Sequence, residues 1–282
     1  VEKLRARQDC GAVDVIYFNA RPAATLSYTG LPSRGAKTRC LDAALKGILA
    51  FEPSVILIAC NTLSVLYPDT ETARAAQARV VDIVKFGVEM IFEKMVPDSN
   101  SRVLILGTPT TIDSDVHRQA LIRLGIDGSR MAAQPCAWLP GEIEQAPEGG
   151  AVKNLIAGYL AEARQRFEPP AAGRLFAALC CTHFEYSLKI FQKELQRVFQ
   201  REVAVLNPNA RMSAGCFPGL ITAARSGAGS AIRIRVFSRV RFEPNRIDAI
   251  SGMLERKSPL TAAALRNYQH RPDLFDLPGN IA

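Results

Sequence analysis

The sequence predicts an α/β fold with mostly parallel sheets, because short apolar segments alternate along the chain with longer amphipathic segments. The apolar segments are aliphatic and bounded by turn or cap residues, as buried strands are; they are Val13–Phe18, Val55–Cys60, Val80–Val84, Val103–Gly107, Leu175–Cys180 and Val203–Leu206. Apolar residues at helical spacing predict helices over Ala36–Phe51, Ser114–Leu124, Val152–Phe167, Phe184–Phe199 and Arg211–Arg225.

Two polar segments that contain proline mark candidate domain boundaries. They are Val96–Arg102 and Asn207–Asn209. Residues 97–208 are therefore predicted to form one domain, and residues 1–96 together with 209–256 the other. Residues 257–282 contain proline and show weak periodicity. We expect them to form a C-terminal extension that packs on the surface or is partly mobile.

Composition and charge favour a globular protein with a small-molecule substrate. The chain has 282 residues, of which 48% are hydrophobic and 22% charged, as is usual for a globular protein. Its net charge is +8, but Lys and Arg are dispersed, whereas nucleic-acid-binding proteins concentrate them in a patch or stripe. A solvated basic surface that helps to attract an anionic substrate is the favoured interpretation. No apolar run reaches the roughly 18 residues that a membrane span requires.

The cysteines predict reduced thiols in the cytoplasm. There are seven of them, and neither a C-x-x-C pair nor a Cys/His cluster with zinc spacing occurs in the sequence. An odd number of dispersed cysteines in a long chain argues against a disulfide framework.

Each half of the chain contains an apolar strand that ends in a cysteine followed by small polar residues. Cys60 precedes Asn61-Thr62, and Cys181 precedes Thr182-His183. Ligands of open α/β sheets bind at the carboxyl ends of the strands. A helix start after Cys60 would also lower the pKa of its thiol below about 8.5.

A structural role remains the alternative for these residues. Cysteine is among the most buried residue types, and His183 could cap a helix or lie in the core. Cys180 is adjacent to Cys181 and should point to the opposite side of the strand. We therefore interpret Cys180 as a core residue and Cys181 as the functional thiol.

Four motifs and a closing segment resemble those of glutamate racemase, within the aspartate/glutamate racemase superfamily. Ala59-Cys60-Asn61-Thr62 and Cys181-Thr182-His183 resemble the two signature motifs of that family. Gly107-Thr108-Pro109-Thr110-Thr111 is similar to its Gly-Thr-x-x-Thr turn, and Tyr17-Phe18 followed by Tyr28 to its Tyr-Phe-Gly-Asp segment and Pro-Tyr-Gly loop. Val236-Phe237 and residues 243–254 resemble the closing strand and helix.

The resemblance implies two pseudosymmetric domains with the active site in the cleft between them. Cys60 and Cys181 would be the acid/base pair, and His183 would assist Cys181. The residues that would bind substrate are Tyr28, Asn61, Thr62, Thr111 and Thr182. The implied activity is racemisation of an acidic amino acid without a cofactor or metal, most directly of L-glutamate to D-glutamate for the peptidoglycan of the cell wall.

The residue types fit that chemistry. Racemisation removes the α-proton from one face and returns a proton to the other, so two groups can serve as thiolate and thiol and exchange roles for the other enantiomer. The carbanion-like intermediate needs nearby hydrogen-bond donors, which Asn61, Thr62, Thr111 and Thr182 could supply.

The sequence also departs from the family's pattern. Ser27-Tyr28-Thr29 replaces Pro-Tyr-Gly, Asn19-Ala20 replaces Gly-Asp, and Phe184-Glu185 replaces Tyr-Pro. The spacing of Pro140, Glu142 and Glu144 does not match the family's Pro-x-x-Glu motif. Either Glu142 or Glu144 could therefore assist the second thiol.

Two other functions stay open. A racemase of the same superfamily could act on aspartate or another amino acid, because the sequence does not show the depth of the side-chain pocket. A non-catalytic ligand-binding relative could keep the fold, although it would not need two facing thiols. With any of these functions, the protein could also form a homodimer.

The N-terminus predicts a missing element. The family's chain opens with a strand and an Asp-Ser-Gly turn, whereas Val1–Arg7 has the pattern of a helix and Asp9-Cys10-Gly11 follows it. We expect a segment of about 15–20 residues, enough for a strand, a turn and part of a helix, to precede Val1 in the native chain.

Overall fold

The computed structural model describes residues 13–76, 78–167, 172–220 and 232–279, with the side chains of residues 217–220 left out. The predictions for Val1–Arg7 and Asp9–Gly11 lie outside these ranges, as does the end of the helix predicted to reach Arg225. The chain divides into two compact units. The first comprises Val1–Ile56, Leu66–Val81 and Ala214–Ala282, and the second comprises Leu57–Val65 and Asp82–Ser213.

The second unit is built on a four-stranded parallel sheet in the order β5-β4-β6-β7. The strands are β4 (Arg102–Gly107), β5 (Met131–Pro135), β6 (Leu175–Cys180) and β7 (Val203–Leu206). The bounds predicted for β6 and β7 are confirmed. Both strands of the centre, β4 and β6, are almost wholly buried, which is why their sequences are continuous apolar runs rather than alternating ones.

Successive residues of β4 and β6 enter two different cores, one on each face of the sheet. Leu104, Leu106, Ala177 and Leu179 pack with the helices on one face. Val103, Ile105, Phe176 and Ala178 pack on the other. Helices therefore cover both faces, and the predicted α/β fold with parallel sheets is confirmed.

The helices of the second unit are α2 (Asn61–Ser64), α4 (Ile83–Met95), α5 (Pro109–Asp113), α6 (Val116–Arg123), α7 (Leu139–Gln145), α8 (Gly150–Arg166), α9 (Leu188–Phe199) and α10 (Pro208–Leu220). The last of these crosses into the first unit at Ala214.

The predicted helix Phe184–Phe199 is correct only in part, because Thr182–Ser187 forms a 3-10 turn before α9. Likewise, the strand predicted over Val80–Val84 ends at Asp82. The Asp82 carboxylate accepts the backbone N–H of Val84 at 2.9 Å and begins α4 there. These local hydrogen bonds override the apolar pattern.

The first unit contains a three-stranded parallel sheet in the order β1-β8-β9. Its strands are β1 (Val13–Asn19), β8 (Ile232–Ser238) and β9 (Gln269–His270). Its helices are α1 (Arg34–Leu49), α3 (Glu71–Arg74), α11 (Pro244–Glu255) and α12 (Pro259–Arg266). A separate two-stranded sheet pairs β2 (Ile56–Ile58) with β3 (Val80–Asp82).

The C-terminal segment is part of the core, which corrects the expected surface extension. Its strand β9 pairs with β8, and Ala262 of α12 is fully buried. The ring of Phe275 packs on Phe18. A Cβ atom at Gly47 of α1 would lie 2.7 Å from the carbonyl oxygen of Leu274, so glycine allows this close approach. The apolar residues of the tail show only weak periodicity, so the sequence did not reveal this packing.

The domain boundaries drawn at residues 96/97 and 208/209 stay a prediction, since compact packing units need not coincide with domains. Among the described residues, no helix combines the length and apolarity needed to cross a membrane.

His117 of α6 is buried at 3% exposure, and its Nε2 atom has no hydrogen-bond partner among the described residues. Its ring packs at Gly87 of α4, where an added Cβ would lie 3.5 Å from Nε2. Loss of hydration lowers the pKa of His117 from 6.5 to about 4. The folded protein therefore holds this imidazole neutral.

This burial predicts a sensitivity to acid. Stability from neutral His117 is complete above the unfolded pKa of 6.5 and is lost as the pH falls toward the folded pKa of about 4. The loss should reach roughly 3 kcal/mol. His117→Leu should reduce this decline in the free energy of unfolding, measured by urea denaturation at pH 8, 6 and 4.5. An equal decline in both proteins would contradict the assignment.

Candidate active site

Cys60 lies two residues beyond the end of β2 and forms the N-cap of α2. The short helix is held by the backbone N–H of Ser64, which donates to the Cys60 carbonyl at 2.9 Å, and by the Ser64 hydroxyl, which donates to the Ile58 carbonyl at 3.2 Å. The backbone N–H groups of Leu63 and Thr62 favour the thiolate form and so act to lower the pKa of the thiol. The side chain is partly exposed.

The pKa of Cys60 is raised, not lowered as the helix start predicted. Loss of hydration is the largest cause, and the negative charge of Cys181 adds to it. The backbone donors and the charge of His183 oppose the shift without overcoming it. Cys60 is therefore a protonated thiol at neutral pH, and it lies close enough to Cys181 and His183 for their charges to act on it.

Cys181 directly follows β6 and forms the N-cap of the 3-10 turn Thr182–Ser187. Its Sγ lies 3.8 Å from His183 Nδ1. Cys180 is fully buried on the opposite face of the sheet, where burial raises its pKa to about 12. The alternation predicted for these two residues is confirmed, and Cys180 is a core residue.

Glu144 of α7 is the carboxylate paired with His183. Its Oε1 lies 2.8 Å from His183 Nε2, and both side chains are partly buried. Of Glu142 and Glu144, which the sequence left as alternatives, Glu144 is the one in contact with His183; its assistance to the second thiol stays a prediction. A carboxylate at Nε2 keeps a proton on that nitrogen, so Nδ1 is the ring nitrogen that can accept one.

A direct hydrogen bond joins the two cysteine turns, which are the segment Ala59–Ser64 around Cys60 and the segment Cys181–Ser187 around Cys181. The Thr182 hydroxyl donates to the Ala59 carbonyl at 2.7 Å. Both partners belong to the second compact unit, as do Cys60, Cys181, His183 and Glu144.

Three threonine hydroxyls form a buried cluster beside this site. Thr62 Oγ1 lies 2.8 Å from Thr108 Oγ1, and Thr108 Oγ1 lies 3.0 Å from Thr111 Oγ1. The Oγ1 atoms of Thr62 and Thr111 are 3.4 Å apart. Thr108 also accepts the backbone N–H of Thr111 as the N-cap of α5. Candidate binding residues did not include Thr108, although its spacing from Thr111 across a helix start was a usable signal.

Asn61 offers an open donor and an open acceptor next to Cys60. It is 1% exposed, and in the part of the chain that the structure describes neither its Oδ1 nor its Nδ2 has a hydrogen-bond partner. Leaving such groups unpaired costs about 1–3 kcal/mol each. A ligand that both accepts and donates hydrogen bonds would satisfy them.

Tyr28 lies in the first unit, in the 3-10 turn Tyr28–Gly30. Its side chain is buried, and its hydroxyl lies near enough to Cys40 of α1 to oppose the rise that burial causes in the pKa of that thiol. Its predicted contact with substrate stays a prediction.

The arrangement suits proton transfer at a small polar ligand. It combines two thiols, one of them joined to an imidazole–carboxylate pair, with clustered hydroxyl groups and an open amide. Within the described ranges, no three or more His, Cys, Asp or Glu side chains are grouped so that they could hold a metal ion.

The pKa of Cys60 can be tested by alkylation. Because burial and the Cys181 charge raise it above the usual 9.0, the rate of iodoacetamide reaction at Cys60 should reach half its maximum above pH 9. Cys181→Ser should lower that midpoint, since it removes a negative charge. The rate is followed by mass spectrometry of the Cys60 peptide. An identical midpoint in both proteins would show that the thiols are too far apart to interact.

Comparison with known proteins reveals similarity to glutamate racemases. The chain is 25% identical over 184 residues to glutamate racemase of Chlorobium phaeobacteroides, covering 65% of this chain and 63% of that protein. It is 25% identical over 175 residues to glutamate racemase of Helicobacter pylori, covering 61% and 63%. The matches thus span less than two thirds of these relatives. No family model matches the chain.

Solved structures show the same fold over more of the chain. Glutamate racemase from Francisella tularensis, in complex with D-glutamate, superposes with a TM-score of 0.64 at 20% identity and covers 86% of this chain and 84% of that one. Glutamate racemase isoform RacE1 from Bacillus anthracis gives 0.62 at 16% identity, covering 87% and 84%. The chain therefore has the fold of the glutamate racemases and resembles them in sequence over about 65% of its length.

Proposed function

We propose that this chain is an amino-acid racemase that converts L-glutamate to D-glutamate without a cofactor. Cys60 and Cys181 exchange the α-proton, His183 assists Cys181, and the product serves peptidoglycan synthesis in the cytoplasm. The substrate is bound by Tyr28, Asn61, Thr62, Thr111 and Thr182. The observation that carries the proposal is the joining of two cysteine turns by the Thr182–Ala59 hydrogen bond.

The environments of the two thiols suggest how the reaction starts. Cys60 is protonated because its pKa is raised, so it is ready to donate. Cys181 can give its proton to His183 Nδ1 at 3.8 Å, and Glu144 at 2.8 Å stabilises the resulting imidazolium. The Cys181 thiolate then removes the α-proton from one face of the substrate, and the Cys60 thiol protonates the other face.

After turnover in this direction Cys60 is the thiolate and Cys181 the thiol. The reverse reaction therefore starts from the opposite protonation pattern. The carbanion-like intermediate carries charge on its carboxylate, so donors placed before the reaction lower the barrier most. The hydroxyls of Thr62 and Thr111 and the Asn61 amide are such donors. Thr108, hydrogen-bonded to both threonines, orients them.

Glutamate is the proposed substrate because a glutamate racemase with this fold has been solved in complex with D-glutamate. Aspartate or another amino acid is the second candidate. A non-catalytic binding protein is disfavoured, since binding alone gives no reason to place an imidazole–carboxylate pair on one of two neighbouring thiols. A homodimer stays an open prediction.

The proposal predicts two-thiol racemisation. Purified protein incubated with L-glutamate and with L-aspartate, followed by chiral chromatography, should form D-glutamate. Cys60→Ala and Cys181→Ala should each reduce the rate by at least about 1,000-fold. Ser27→Ala, remote in sequence from both thiols, serves as the milder control. Full racemisation by either cysteine variant would overturn the assignment, and dependence on pyridoxal phosphate would exclude the cofactor-free reaction.

The Glu144–His183 contact predicts a difference between two neighbouring glutamates. Glu144→Gln should lower kcat roughly 10-fold or more, because a neutral amide stabilises the imidazolium less. Glu142→Gln makes the same chemical change on the same helix and should leave kcat within about two-fold. The measurement is the initial rate at saturating substrate. Equal rates for the two variants would remove Glu144 from the mechanism.

A further inference from the structure

Asn209 reaches the cysteine turn from the start of α10. Its backbone is fixed locally, since its N–H donates to Asn207 Oδ1 at 3.0 Å and Pro208 occupies the first position of the helix. Proline restricts the backbone at that position, and an Asn side chain that accepts the N–H two residues on stabilises the turn. The Asn209 side chain therefore projects from a rigid base.

The Asn209 side chain donates two hydrogen bonds to the turn that carries Cys181. Its Nδ2 lies 2.8 Å from Glu185 Oε2 and 3.2 Å from the Thr182 carbonyl oxygen. An amide nitrogen carries two hydrogens, so both are used. The two acceptors belong to the 3-10 turn Thr182–Ser187.

The orientation of this amide follows from its neighbours. Rotating it by half a turn would place Oδ1 against a carbonyl oxygen and a carboxylate, both of which only accept hydrogen bonds. In the observed orientation Oδ1 is buried without a hydrogen-bond partner in the described part of the chain. An unpaired buried carbonyl is unfavourable. An amide side chain is therefore needed at this position for the two hydrogen bonds that its nitrogen donates.

The geometry of the site depends on the direction of the Thr182 carbonyl. It belongs to the peptide that links Thr182 to His183, so its direction sets the position of the imidazole relative to Cys181 Sγ, 3.8 Å away. The same residue sends its hydroxyl to Ala59 at 2.7 Å. Rotation of this peptide would disturb both contacts.

We propose that Asn209 is a positioning residue for the second thiol, which holds the Thr182–His183 peptide so that His183 can take the Cys181 proton. It touches neither thiol and acts through the turn. The proposal rests on the proposed function for its effect on turnover, but its structural part does not require racemisation to be the reaction.

The test compares two Asn→Asp variants. Asn209→Asp replaces the donor with an oxygen that faces Glu185 and the Thr182 carbonyl. Asn267→Asp is the matched control, because Asn267 Nδ2 also donates to a backbone carbonyl, at 2.9 Å from Ala263, but at an exposed site in the first unit. With L-glutamate, Asn209→Asp should lower kcat about 10-fold or more while KM changes less than about three-fold. Asn267→Asp should match the wild type.

A second substitution separates positioning from general damage. In Asn209→Asp with Glu185→Gln, the new amide can donate to the new carboxylate, so kcat should recover by about three-fold or more relative to Asn209→Asp alone. Thermal unfolding of each variant checks the fold. If Asn209→Asp does not fold, Asn209→Ser, which keeps one donor, carries the same measurements.

Histidine NMR gives a readout that needs no turnover. The chain has three histidines, and the signal lost in His183→Asn identifies His183. In Asn209→Ser, which adds no charge, its titration midpoint should change by about half a pH unit or more, since rotation of the Thr182–His183 peptide would disturb the contact of His183 with Cys181. It should not move in Asn267→Asp.

The outcomes separate the two proposals. If wild-type protein racemises no amino acid, the proposed function fails, whereas a moved His183 midpoint still supports Asn209 as the positioning residue. If Asn209→Asp has the kcat of the wild type and Asn209→Ser has its His183 midpoint, the positioning role is wrong, and the proposed function is unaffected.

Discussion

The hydrogen bond from the Thr182 hydroxyl to the Ala59 carbonyl, 2.7 Å long, connects the two turns on which the proposed chemistry depends. Each turn follows a different strand, so hydrogen bonds within one turn cannot by themselves fix its thiol relative to the other. Two-face proton transfer tolerates little error in the separation of the reacting groups. The Thr62–Thr108–Thr111 hydroxyl cluster adds contacts next to Cys60, and Asn209 donates a hydrogen bond to the Thr182 carbonyl of the Cys181 turn.

Burial has opposite consequences at two ionisable groups of the second unit, and both follow from the cost of removing a charge from water. It lowers the pKa of His117, which stays neutral, and it raises the pKa of Cys60, which stays protonated. In the proposed mechanism, a protonated Cys60 and a Cys181 that passes its proton to His183 provide one acid and one base. A symmetric pair of thiolates would provide two bases and no donor.

Local pattern was sufficient where one strong signal determined the structure. The strands β6 and β7 have their predicted bounds, and alternation along β6 separated Cys180 from Cys181. It failed where a distant contact decided the outcome. Pairing of Glu144 with His183 depends on how α7 packs, the raised pKa of Cys60 depends on burial that outweighs its backbone donors, and the C-terminal strand β9 depends on pairing with β8. None of these is visible as a periodicity in one segment.

The central claim is that two thiols act on opposite faces of one α-carbon, and the partition of deuterium tests it most directly. L-glutamate is supplied in D2O, the reaction is stopped at a few per cent conversion, and the enantiomers are separated and weighed by mass spectrometry. Two single-proton groups predict that D-glutamate carries deuterium at the α-carbon while the remaining L-glutamate keeps its protium. Equal early enrichment of both enantiomers would contradict this account and indicate a single base serving both faces.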